Sequence, residues 1–416
     1  MSITVNARAQ RRLFLGLSML CTAAYFVSYV SRINLSAAMV ELVACGFAEK
    51  TTVALALSVN FITYGAGQIV SGYLGDRYKP QNVMLAGFIL AALMNGGVAL
   101  LKDQRLLILL WGINGFAQSL MWPPLVRILS QHLNADEYTL ACKWVNWGGA
   151  LGTMAVYAAM PLLISIASYR AVFFVSGGLA LGMAVVWKLV YERHFSHAAR
   201  AAQPDGSAAV SPSGAAHARL TLNAVFLMGM VMIAIVMQGA LRDGVTNWLP
   251  TLVSESFGLS SAASILSGVL LPVFNILCSQ ITTQIYRRSI RNELLCSGVI
   301  FALAVLAAAL LALLPHSGVM ATVILLALLV GCMHGVNFLL VCIVPSCFAR
   351  YGHISLISGI LNSSTYVGSA ISTYGIAVFS QKMGWNATIW LWAAIAGCDM
   401  VICLLRFRRW KRFQTA

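Results

Sequence analysis

The sequence predicts an all-α membrane protein with twelve transmembrane helices arranged as two pseudo-symmetric six-helix bundles. Three observations predict it. Apolar stretches long enough to cross a bilayer, which takes about 20 residues, recur twelve times. Lysine and arginine crowd into alternate connections. A polar segment in the middle divides the spans into six and six. The composition agrees: 60% of the 416 residues are hydrophobic and 9% charged, against about 45–50% and about 25% in soluble domains.

In chain order the spans are expected at residues 13–43, 51–74, 82–101, 105–131, 139–166 and 169–191, then 221–253, 259–286, 291–314, 318–348, 352–381 and 384–407. The first bundle is therefore 1–191 and the second 221–416. Between them 192–220 reads ERHFSHAARAAQPDGSAAVSPSGAAHARL, rich in Ala, Ser, Gly and Pro, the composition of a flexible linker. With the N-terminus inside, 17 basic residues fall on cytoplasmic segments and 5 on outside loops. That asymmetry orients both termini to the cytoplasm of a multi-pass protein, a bacterial inner membrane being the expected site. It also accounts for the formal charge of +15 without nucleic acid as a partner. Arg8, Arg11 and Arg12 precede a segment too long for a signal peptide's apolar region, so the first span is expected to stay uncleaved. The ten cysteines sit mostly inside apolar stretches without metal or disulfide spacing, and no cofactor or metal is implied.

Two charges break the pattern. The first span reads LFLGLSMLCTAAYFVSYVSRINLSAAM and carries Arg32; the seventh, AIVMQGALRDGVTNWLPT, carries Arg242. A charge at the bilayer centre costs about 2.5–3.5 kcal/mol on insertion scales. One such arginine in the first helix of each half points to a midplane site at the repeat interface. Two planar guanidiniums fit an anion, phosphate best. Their alternatives as structural pairs are weak by geometry. Glu41 lies about 13 Å along the helix from Arg32, and Asp243 points about 100° away from Arg242 on an ideal helix. Tyr25, Ser28 and Tyr29 share the helical face of Arg32 and would line the cavity. Lys143 is either a topology anchor or a third cation near it. His334, mid-span, is either packed or a proton relay. No phosphate-binding loop, nucleotide module or catalytic set is present, so the chain is not read as an enzyme.

Six plus six spans and the loop GYLGDRYKP resemble the major facilitator superfamily, whose Gly-x-x-x-Asp-Arg loop latches helices on the cytoplasmic face. Gly72, Asp76 and Arg77 occupy it here. The corresponding stretch of the second half, SQITTQIYRRSIR, has no acid. Within that superfamily the chain resembles the organophosphate:phosphate antiporters, which include glycerol-3-phosphate and hexose-6-phosphate transporters. The residues that carry this are YFVSYVSRINLSAAM, NGFAQSLMWPPLVR, LRDGVTNWLPT and SGILNSSTYVGSAIS. The resemblance implies that Arg32 and Arg242 grip phosphate, and that Tyr366, Asn146, Gln118 and Trp122 line the cavity. It implies a monomer that exchanges an organophosphate for inorganic phosphate by rocking its halves. Val145 stands where relatives often carry a histidine, and Gln68 where a lysine is common. Two alternatives remain open: a transporter-like sensor of a sugar phosphate, or a transporter of another anion such as a carboxylate. Two unpaired arginines would prefer a dianion, so affinity should rise through about pH 6, the second phosphate pKa.

Overall fold

Proline and glycine decide where the helices break. In the computed structural model, which describes residues 2–195, 222–314, 318–351 and 354–415, α1 is Ser2–Ala44, α2 Lys50–Arg77 and α3 Pro80–Leu100. The fourth span, expected as one helix, is two: α4 Arg105–Ser119 and α5 Trp122–His132. Pro123 and Pro124 have no N–H to offer the carbonyls of Ser119 and Leu120, so the ladder lapses there. The eighth span breaks likewise into α9 Ser261–Ser267 and α10 Leu270–Arg288, because Pro272 cannot bond back to Gly268.

The remaining elements are α6 Ala135–Ile166, α7 Tyr169–His194, α8 Leu222–Phe257, α11 Glu293–Leu313, α12 Val319–Asn337 and α13 Ile354–Thr415. An Asn134–Glu137 capping box opens α6. A π turn, Phe338–Ile343, and a 3-10 stretch, Val344–Tyr351, continue α12. Among the described residues eleven helices are long and apolar enough to cross a membrane. The last of these, Gly359–Gln414, is 56 residues long, enough for two crossings of about 20 residues each. It is broken only at Gly384, whose φ of 79° lies in the left-handed region that glycine enters freely. The chain is thus a multi-pass all-α membrane protein. α7 continues to His194, past the expected start of the linker, and 196–221 lie outside the described residues.

α1 packs on α6 and α7, α2 on α4, and α3 on α7; α8 packs on α13, α10 on α12, and α11 on α13. These two sets meet where α2 lies along α13, α6 touches α9 and α10, and α1 touches α8. Ser36 donates to Asn247 at 2.6 Å. Lys50 binds both carboxylate oxygens of Glu255, at 2.9 and 3.1 Å. These links cluster at the face where α1 and α8 end. One buried core runs through both sets of helices. A second, including Phe14, Met84, Leu125, Val145 and Phe195, belongs to α1, α3, α5, α6 and α7 and their margins alone.

Backbone contact between α8 and α13 is set by two glycines. A Cβ on Gly368 would overlap the Val236 carbonyl, and one on Gly239 the Thr365 carbonyl. No bulkier residue allows this approach.

After α10, where the sequence offers no acid within SQITTQIYRRSIR, Glu293 supplies one from the first turn of α11. It accepts from Tyr286 at 2.7 Å, Trp410 at 2.8 Å and Gln414 at 2.6 Å. Three neutral donors and the helix N-terminus thus hold a carboxylate that is only 2% exposed.

Candidate functional site

Along α1, Tyr25, Tyr29 and Arg32 fall on one face. α6 approaches closely enough there that a Cβ on Gly149 would meet the Tyr29 and Tyr25 rings at 3.0 and 3.1 Å. The two rings stack at an angle, 5.0 Å between centres, and Trp122 lies 5.2 Å beyond Tyr25. At the other end of this aromatic run is Arg32. Its guanidinium carbon lies 5.7 Å from the centre of Tyr29, 4.1 Å from Tyr64 and 5.8 Å from Tyr366. Tyr64 comes from α2 and Tyr366 from α13, and these two rings meet edge to face at 4.7 Å. The cation therefore sits among three π faces, a favourable desolvated setting. Among the described residues no carboxylate pairs with Arg32.

Arg242 approaches the same ring, 5.9 Å from the centre of Tyr366. Contrary to the expectation that it lacks a carboxylate partner, it holds one. Nε lies 2.8 Å from Asp243 Oδ1, and one terminal nitrogen 2.7 Å from Oδ2. The Cα–Cβ directions of adjacent helical residues do diverge, but the arginine side chain is long enough to fold back and close the fork. Ser369 on α13 donates to Oδ2 at 2.6 Å. The fork and this hydroxyl fix the carboxylate in place. With both side chains largely buried, at 11% and 16% exposure, the pair is bidentate and strong in character.

The other expected site residues divide. Gln118 is 1% exposed, accepts from Ser28 at 2.6 Å and donates to Ser31 at 2.9 Å. It ties α4 to α1 beneath Arg32. Trp122 joins through Tyr25. Asn146 is exposed and donates to the Cys142 carbonyl one turn back, at 3.0 Å. Lys143 is exposed as well. Among the described residues no hydrogen bond, ion pair or ring contact joins either to the arginines. His334, half-buried on α12, lies within the electrostatic reach of both Arg242 and Asp243. Beside it Gln238 donates to the Met333 carbonyl at 2.9 Å. Gly72, Asp76 and Arg77 are in the last turns of α2; their side chains lie outside the described residues.

Tyr64 and Ser369 are partners that the sequence does not announce, while Asp243 is one that ideal-helix angles argue against. Only Asp243 had a visible signal, its place beside Arg242. Gln68, standing at the position where a lysine is common, accepts from Asn362 of α13 at 2.8 Å, one turn from Tyr64 and Tyr366. An apolar groove of about 720 Å³ between α2 and α4, lined by Val59, Gly67, Gly112 and Phe116 among others, includes none of the arginine cluster.

Known proteins resemble the chain at two levels. A Chlamydia muridarum protein named probable hexose phosphate transport protein is 30% identical over 165 residues, 39% of this chain and 36% of the relative. The human voltage-gated purine nucleotide uniporter SLC17A9 is 26% identical over 50% of this chain and 49% of its own. The membrane sensor protein UhpC of Salmonella typhimurium is 27% identical over 40% and 38%. The matches thus span between about a third and a half of these relatives' lengths. Among solved structures, a bacterial homologue of the human lysosomal transporter Spinster, inward-facing and unoccupied, superposes with a TM-score of 0.75 at 11% identity, covering 97% of this chain and 98% of that one. A peptide transporter, POT, in complex with sulfate gives 0.72 at 14%, covering 96% and 95%. The sequence profile of the Major Facilitator Superfamily matches residues 21–373, and the chain belongs to that family of membrane transporters.

Proposed function

We propose that the protein carries a phosphorylated small organic anion across the membrane, in exchange for inorganic phosphate and without chemical conversion of its cargo. One observation carries the reading. Arg32 of α1 and Arg242 of α8 both lie against the ring of Tyr366, at 5.8 and 5.9 Å. Guanidiniums from two helices related by the six-plus-six pattern thus converge on one space. Each planar fork suits an oxyanion. The names of the similar proteins, hexose phosphate transport protein and purine nucleotide uniporter, support phosphate as the recognised group.

In this reading the halves 1–191 and 221–416, joined through 192–220, rock about the site in a monomer of the bacterial inner membrane with both termini cytoplasmic. Bound anion neutralises the positive charge that Arg32 leaves at the site and permits closure; the empty site resists it. That asymmetry makes the exchange obligatory. Trp122, Tyr25 and Tyr29 line the path, Gln118 holds α1 to α4, Asn146 and Lys143 lie at its exposed edge, and Gly72, Asp76 and Arg77 latch the cytoplasmic side.

The similarity to UhpC favours one second reading, a sensor that binds the same ligand without moving it. Purified protein in proteoliposomes loaded with labelled inorganic phosphate tests both. External hexose phosphate should accelerate release of label severalfold over buffer. Binding without release would identify a sensor, and neither would refute both.

A further inference from the structure

We infer that Asp243 is a resident counter-anion that sets the charge of the bound substrate at a single negative charge. The inference rests on the proposed anion site. Arg32 and Arg242 bring two positive charges to it. Asp243, bound at 2.8 and 2.7 Å, cancels one of them, so the fixed charge is one positive.

The carboxylate does not block Arg242. A guanidinium has five N–H donors. Asp243 occupies the edge formed by Nε and one terminal nitrogen; the edge formed by the two terminal nitrogens keeps its outward donors. Arg242 can therefore hold Asp243 on one edge and a substrate oxyanion on the other. Ser369, at 2.6 Å from Oδ2, keeps the acid on its own edge when substrate arrives. The substrate then meets one uncompensated cation, Arg32, plus a neutral pair with open donors. A monoanion leaves the site neutral. A dianion leaves one negative charge uncompensated in a low-dielectric interior, which is strongly disfavoured. This reverses the expectation drawn from two unpaired arginines. For a phosphate ester the bound species is the monoprotonated one, or the dianion together with a proton.

The charged or titratable groups that face the pair are Arg32, Tyr29 and Tyr366, with His334 from α12. Histidine is the one residue type among these whose unperturbed range lies near neutrality, so His334 is the control.

The test is calorimetric binding to the purified full chain between pH 5 and 7, with a hexose phosphate and the hexose sulfate of the same position. A sulfate ester stays monoanionic throughout. With a second phosphate pKa near 6, apparent affinity for the phosphate should fall about tenfold from pH 5 to 7, while the sulfate stays flat. His334→Asn and Asp243→Glu should keep that slope. Asp243→Asn should reverse it. Wild-type affinity that rises through pH 6, or a slope abolished by His334→Asn and untouched by Asp243→Asn, overturns the inference and leaves the phosphate reading standing. Binding of the sulfate with none of the phosphate overturns the phosphate reading and supports the charge assignment. Binding of neither overturns both.

Discussion

Arg32 sits with its guanidinium carbon 4.1 Å from the centre of the Tyr64 ring, closer than to any other aromatic ring that faces it. The two residues lie on different helices, so the contact also fixes α2 against α1 at the site. Cation–π contacts are worth about 0.5–2 kcal/mol. Tyr64→Phe keeps the ring and should leave anion affinity within about threefold. Tyr64→Leu should weaken it by about 2- to 30-fold, the equivalent of that energy. Isothermal titration with inorganic phosphate checks it; equal affinity for the Leu and Phe variants would remove the ring from the site.

The Arg242–Asp243 pair gives a stability signature. Removing one partner of a buried ion pair typically costs about 3–5 kcal/mol, because the other charge is stranded. Arg242→Ala and Asp243→Ala should each lower thermal stability in detergent clearly. The double variant should be more stable than the sum of the two losses implies. Additive losses in the cycle would mean that the pair is not formed.

At the face where α1 and α8 end, Lys50 is a second clamp. It lies 5.1 and 4.7 Å from the centres of Trp248 and Trp385 while binding Glu255, and Trp385 donates to Glu255 at 2.7 Å. The clamp joins α2 to α8 across the two sets of helices. Glu255→Gln should make a cysteine placed at Ser36 react severalfold faster with a membrane-impermeant thiol reagent. The exchanged pair Lys50→Glu with Glu255→Lys should restore the slow rate. No change in the single variant would show that other contacts hold this face closed.

Gly239 and Gly368 set the α8–α13 approach that brings Ser369 to Asp243. Alanine at either position must push backbone away from backbone, and overpacking of this kind costs about 1–3 kcal/mol or more. Gly368→Ala should reduce thermal stability and, by moving Ser369, also anion affinity. Ser369→Ala should affect affinity with little loss of stability, and the contrast between the two variants is the check.

What the sequence could and could not show follows from the range of each interaction. Arg32 and Arg242 were legible because a charge inside an apolar span is anomalous wherever it points. Tyr25 and Tyr29 were legible because helical spacing fixes their face relative to Arg32. Tyr64 was not, since its meeting with Arg32 depends on how α1 crosses α2, a tertiary property. Asp243 is visible beside Arg242, but ideal-helix angles describe the Cα–Cβ directions and not the reach of an arginine. Gln118 and Asn146 are of suitable type for a ligand. Their donors were claimed instead by Ser31 and by the Cys142 carbonyl. The breaks before Pro123 and Pro272 follow from the missing N–H groups, but hydropathy reads straight through them.

The most direct test of the two-arginine site is calorimetric binding of inorganic phosphate to wild type, Arg32→Lys and Arg242→Lys, each shown to be folded by its thermal transition. Lysine keeps the charge and loses the planar fork. Saturable binding in wild type, weakened at least about tenfold in both variants, a loss of about 1.4 kcal/mol or more, is the expected result. Wild-type affinity in either variant would contradict a phosphate held between Arg32 and Arg242.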